Sequence, residues 1–88
     1  MTKKNKKVIK DSSKELLNVG TEKAIKKYLK SLNGYKPTDL YKLVIGEIEK
    51  PMFKTIMDFS EGNQSHAAEI LGISRGTLRK KLKDYNIK

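Results

Sequence analysis

Between Gln64 and Leu82 the apolar residues keep helical spacing on both sides of a single glycine, and few folds accept that arrangement. Ala67, Ala68, Ile70 and Leu71 recur at the spacing of one short helix. Gly72 ends that helix, because glycine alone takes a left-handed C-cap without steric cost. Ile73 and Leu78 flank Ser74 as a hydrophobic staple flanks an N-cap, and Leu78 and Leu82, four apart, form the inward stripe of a second helix. This is the layout of a helix-turn-helix, whose second helix enters the major groove of DNA.

Rotation decides what that second helix can show to a partner. Each residue steps about 100° around the axis. With Leu78 and Leu82 inward, Lys80 points almost directly away, Thr77 and Asp84 lie near the same outer line, and Lys81 and Arg79 occupy opposite flanks. Arg75 falls in the first turn, where a recognition helix meets base edges. Gly76 removes a side chain there and lets the backbone approach a phosphate closely. The plainer alternative is a solvated basic face on an ordinary helical hairpin. The staple, the turn glycine, the paired small alanines and the outward cations together favour the DNA-facing reading.

At 88 residues the chain makes one domain at most, and with 36% hydrophobic residues it builds only a thin core alone, so oligomerisation is expected. The absence of cysteine excludes disulfides and thiolate metal sites and is compatible with an intracellular home. No apolar run approaches the roughly 20 residues of a membrane span, and the N-terminus lacks the apolar segment of a signal peptide. The net charge is +10, and its distribution says more than its size. Residues 1–10 hold five lysines and no acid, and residues 73–88 hold six basic residues against Asp84 alone. Residues 34–61 carry four lysines against five acids. Charge at the ends and apolar bulk in the middle suit a polyanion binder assembled around a central core.

Three regions follow. Residues 1–18 are polar, lysine-rich and poor in apolar side chains, and read as a mobile tail. Residues 19–62 are expected to be the dimerisation helices, and residues 63–88 the DNA-binding helix-turn-helix. An amphipathic helix over 21–32 places Ala24, Ile25, Tyr28, Leu29 and Leu32 on one face and is ended by Asn33-Gly34. Thr38 or Asp39 then caps a longer helix reaching to about Ser60. That helix is apolar on more than one side: Leu40, Val44 and Ile48 run four apart, and Met52 and Ile56 continue the row. A face of this kind is expected to meet a second copy of the chain. Pro51 lies inside it and should kink it without breaking it, since the pattern continues on both sides. Gly62 can take positive φ in the connector, and Asn63 can cap the next helix.

Nothing in the sequence supports catalysis, a cofactor, a metal or a small-molecule substrate. The one histidine, His66, has no cysteine or second histidine to share a metal, and reads as an exposed group facing phosphate. There is no phosphate-binding glycine loop with its lysine.

Over residues 24–88 the chain resembles the Fis family (factor for inversion stimulation) of bacterial nucleoid-associated proteins. The resemblance rests on Leu32-Asn33-Gly34, Asp39-Leu40-Tyr41, Glu49 before Lys50-Pro51 and Gly62-Asn63-Gln64. It continues in Gly72-Ile73 and in the run from Arg75 to Lys83. It implies an all-α, four-helix subunit with a C-terminal helix-turn-helix, in an intertwined homodimer. The paired recognition helices are set closer than one DNA turn, so binding bends the double-stranded DNA and site choice rests partly on deformability. The implied setting is the cytoplasmic nucleoid, with roles in chromosome organisation and transcription control. RNA polymerase is a further implied partner, and no membrane is involved.

Carried over position by position, Asn63, Ser74, Arg75, Thr77, Arg79, Lys80, Lys81 and Lys83 are the DNA-contacting candidates, with Ser65 at a position where a hydroxyl also occurs. Arg75 suits a guanine contact, and the other cations suit phosphates, so losing Lys80 or Lys81 should reduce the salt dependence of binding. Leu40, Val44, Ile48, Met52 and Ile56 are the dimer-interface candidates. Three positions depart from the family pattern. Glu61 replaces an arginine used in flanking-DNA and polymerase contacts, weakening both inferences. Asp84 replaces a cation, and His66 replaces an arginine, leaving a weaker phosphate contact than arginine would make. The alternatives are a local regulator with few operators, and an adaptor or RNA-binding module that uses the same basic helix.

Overall fold

A computed structural model of the chain describes residues 11–88. It contains four helices in order: α1 (Asp11–Ser31), α2 (Leu40–Phe59), α3 (Gln64–Leu71) and α4 (Arg75–Asp84). The fold is all-α, as expected. The described residues group into two compact units, one ending at Thr38 and the other spanning Asp39–Lys88. No helix among the described residues is long and apolar enough to cross a membrane.

In the first unit α1 begins at Asp11, well upstream of the expected start at 21, so residues 11–18 are helical where a tail was expected. The remainder of that expected tail lies outside the described residues. The apolar stripe explains the difference. Leu17 stands four residues before Thr21 and eight before Ile25, in line with Tyr28 and Leu32; Thr21, Ile25 and Tyr28 are half-buried in α1, as is Leu32 just past its end. Gly20 interrupts the pattern to the eye but not the helix. The helix stops at Ser31, where Asn33 (φ 56) and Gly34 (φ 91) turn left-handed.

The second unit unites α2 with α3 and α4. The reason is a shared core. Phe53 and Met57 of α2 are buried with Ala67 and Ala68 of α3 and with Leu78 and Leu82 of α4. Leu78 is fully buried, and Ile73 packs on the same cluster, as the staple required. Ile56 is half-buried and packs partly against this core. Leu40 and Val44 remain half-buried and Ile48 and Met52 exposed.

The helix α2 runs unbroken through Pro51. A proline here removes one backbone donor and crowds the preceding turn, at a cost of about 3 kcal/mol. Both flanks are held: Phe53 two residues later is in the core, and Glu49 two residues earlier is bonded to α4. Asp39 occupies the cap position but in a left-handed conformation (φ 53, ψ 30), and its side chain makes no cap bond. The expected capping by Asp39 therefore fails, because a cap needs extended backbone to aim its carboxylate at the first free amides.

All three helices of this unit close in the same way. The amide of Gly62 donates to the Met57 carbonyl at 3.0 Å, that of Ile73 to Ala68 at 3.1 Å, and that of Ile87 to Leu82 at 2.8 Å. Each is the long bond of a Schellman stop, with a left-handed residue just before or at the donor. Gly72 supplies that residue after α3, as expected, and Asn86 after α4; after α2 both Glu61 (φ 54) and Gly62 (φ 81) are left-handed.

Candidate nucleic-acid interface

The short turn between α3 and α4 begins at Gly72 and ends at Ser74. Asn63 Oδ1 accepts the His66 amide at 3.0 Å and so caps α3. Ser74 Oγ accepts the Thr77 amide at 3.1 Å and donates to Thr77 Oγ1 at 2.9 Å, so cap and third helical residue are locked together. Both caps stand as the sequence suggested. They leave Asn63, Ser65, Ser74 and Thr77 exposed on the surface, with His66 beside them.

The face of α4 opposite the core is cationic. Leu78 and Leu82 point inward, and Arg75, Arg79, Lys80 and Lys83 are exposed. Lys80 Nζ lies 3.4 Å from Asp84 Oδ2, a pair within one helix and open to water. Such a pair contributes little and yields easily to another anion. A groove of about 710 Å³ runs beside α4, lined by Gln64, Gly76, Arg79, Lys80, Lys83 and Lys88 among others. It brings the first residue of α3 and three cations of α4 onto one surface. A Cβ built on Gly76 would meet only the Ser74 hydroxyl, at 4.0 Å, so the backbone there is open.

Arg75 breaks a local rule. It is the first residue of α4, and the first turn holds no acid. The positive end of a helix dipole disfavours a cation there by about 0.3–1 kcal/mol. Lys81 and Lys83, at the other end, fit the dipole.

Lys81 is the one cation of α4 that the structure turns elsewhere. It was expected on an outer flank. Its Nζ instead lies 3.0 Å from Glu49 Oε1 of α2, and both side chains are largely covered. A flank position can reach the neighbouring helix once an acid stands opposite. The Tyr85 hydroxyl donates to the same Glu49 oxygen at 2.6 Å, and the Tyr85 ring stacks on Phe53 with centroids 6.2 Å apart. The Tyr85 bond, and after it the Lys81 bond, hold the Glu49 carboxyl below its ordinary value. The same bond to Glu49 pushes the Tyr85 hydroxyl up to about 12.

Sequence reasoning missed this cluster, although a signal existed. Glu49 stands four residues before Phe53 and eight before Met57, so an acid continues the buried stripe of α2. Tyr85 similarly follows Leu78 and Leu82 by seven and three residues. A carboxylate in line with core residues calls for a donor on the facing element.

Comparison with known proteins agrees with this geometry. Residues 44–85 match the family model described as bacterial regulatory protein, Fis family. The chain is 58% identical over 64 residues to the DNA-binding protein Fis of Mannheimia haemolytica, covering 73% of this chain and 65% of that protein. It is 51% identical over 71 residues to the DNA-binding protein Fis of Glaesserella parasuis, covering 81% of this chain and 72% of that protein. Against the DNA-binding protein Fis of Vibrio cholerae it is 53% identical over 64 residues, with 73% and 65% covered. The chain thus spans just under two thirds of the Mannheimia and Vibrio proteins.

Proposed function

The chain belongs to the Fis family, and from this we propose that it is a sequence-tolerant DNA-binding protein that acts as a homodimer, bends duplex DNA and serves in nucleoid organisation and transcription control. The observation that carries the reading is the capped helix α4, anchored by Leu78 and Leu82, with Arg75, Arg79, Lys80 and Lys83 exposed. Arg75 reads a guanine edge through its fork, at the end of α4 that enters the groove. Thr77, Arg79, Lys80 and Lys83 fix register on phosphates, as do Asn63, Ser65 and Ser74 at the two helix starts. Lys81 is the least accessible member of the set. The work is binding, not catalysis, and its place is the cytoplasmic nucleoid. Polymerase contact is a secondary role, for which Glu61 stands as a departure from the family pattern.

The dimer forms through the apolar row on α2 made by Leu40, Val44, Ile48, Met52 and Ile56, half-buried or exposed in the single chain. Two copies hold their α4 helices at a fixed spacing, and a duplex must curve to meet both. The test is a circular-permutation bending assay on duplexes with AT-rich or GC-rich centres, run with a sedimentation measurement. The expected result is a dimer, a bend, and tighter binding to the AT-rich centre. Equal affinity for both, without a bend, would refute the geometry.

A further inference from the structure

Five side chains of α4 are cationic, and one is held unlike the others. Lys81 lies 3.0 Å from Glu49, with side chains 34% and 21% exposed; Lys80 lies 3.4 Å from Asp84, with 75% and 48%. Water screens the second pair, and a phosphate can replace its carboxylate readily. The first pair is shielded, and its carboxylate oxygen also accepts the Tyr85 hydroxyl. Separating Lys81 from it would leave a half-covered carboxylate short of its charged partner. Glu49 cannot simply follow Lys81 outward, because it continues the buried stripe of Phe53 and Met57 on a helix anchored by the core.

We propose that Glu49 is a positioning residue for duplex binding: it withholds the Lys81 ammonium from phosphate and, with Tyr85, ties the C-terminal half of α4 to α2. The proposal rests on the duplex-binding reading above. Arg75, Arg79, Lys80 and Lys83 meet the polyanion, while Lys81 faces the body of the protein and is neutralised there. A lysine that sequence alone places among the DNA contacts is thereby a strut, and the angle of α4 is set by an acid on the helix through which two copies would join.

The test is a titration of one short duplex over a series of salt concentrations. It compares the wild-type chain, Glu49→Gln, and the charge-matched double variant Glu49→Gln/Lys81→Met. Each phosphate neutralised adds about 0.9 to the slope of log affinity against log salt. Glu49→Gln is expected to steepen the slope by about 0.9 for each copy bound, because Lys81 is released to phosphate. The double variant is expected to return to the wild-type slope. Any other combination overturns the proposal, most directly an unchanged slope in Glu49→Gln with a shallower one in the double variant. A measurement on the wild-type chain guards against variants that fail to fold. Amine acylation with and without duplex should show Lys80 protected and Lys81 as reactive as in the free protein; protection of Lys81 by duplex overturns the proposal. A wild-type chain that bound no duplex at any salt would sink the nucleic-acid reading and this proposal together, whereas the slopes and the acylation pattern bear on Glu49 alone.

Discussion

Arg75 and Tyr85 mark the two ends of α4, and each makes a separate demand on experiment. Replacing Arg75 with alanine should cost about 1–3 kcal/mol of affinity for the best site and flatten base preference at one position of each half-site. Competition binding over a randomised duplex pool checks both, and unchanged preference would remove the assigned base contact. Tyr85 predicts a pH response of folding. Its hydroxyl is pushed from 10.0 up to about 12 by its bond to Glu49, so the bond stabilises the fold fully below 10 and progressively less as pH rises to 12. The Glu49 carboxyl, held below 4.5, contributes above that value and loses its contribution as pH falls through its lowered one. The melting-temperature advantage of wild type over Tyr85→Phe should therefore be steady through neutral pH and shrink between 10 and 12. An advantage that did not change across that range would mean the bond is absent in solution. Each of Glu49 and Tyr85 continues the stripe of its own helix, but their pairing escaped sequence reasoning because no helical period reports that residues 36 positions apart meet.

The four helices divide cleanly into what local chemistry announces and what it does not. The course of α3 and α4 was readable to the residue at their caps: Asn63, Gly72 and Ser74 each act through their own side chain or their own φ, which neighbours hardly alter. The passage of α2 through Pro51 was readable from the pattern on both sides. The start of α1 was not, because Gly20 and a polar stretch hid the register of Leu17. Nor was the failure of Asp39 as a cap, which depends on a backbone conformation set by the preceding turn. The end of α2 offers a test of this kind of local cost. Glu61 is a non-glycine residue at φ 54, a conformation that costs an L-residue about 1–2 kcal/mol, and it is exposed. Glu61→Gly should raise stability in chemical denaturation by about 0.5–1 kcal/mol, after allowing for the greater freedom of glycine in the unfolded chain. A loss of stability would show that the Glu61 side chain makes a contact of greater worth.

For the molecule as a whole, the apolar residues left uncovered are the most demanding feature. On α2, Tyr41 (80% exposed), Ile48 (39%), Met52 (40%) and Phe59 (71%) face away from the core formed by Phe53 and Met57. A unit of this size with so thin a core would gain stability if the proposed second copy covered that surface. If the proposed dimer forms there, a charge at Ile48 is present twice in a symmetric interface. Ile48→Asp should then weaken association by about 3–6 kcal/mol, twice the worth of one buried aliphatic side chain. Sedimentation at matched concentration checks this, and an undisturbed dimer would place the interface elsewhere. Duplex binding should fall with dimerisation, since one α4 reaches only one groove.

The position of Arg75 at the positive end of its own helix has a final consequence. A cation there works against the helix dipole, and the proposed contact with an anion or an electronegative base edge would offset that cost. Exchange of that arginine for an uncharged residue should therefore harden the protein against heat while dulling its grip on a duplex. A lineage bred for thermal endurance alone would shed this arginine early, and its toughest descendants would be those that had stopped reading.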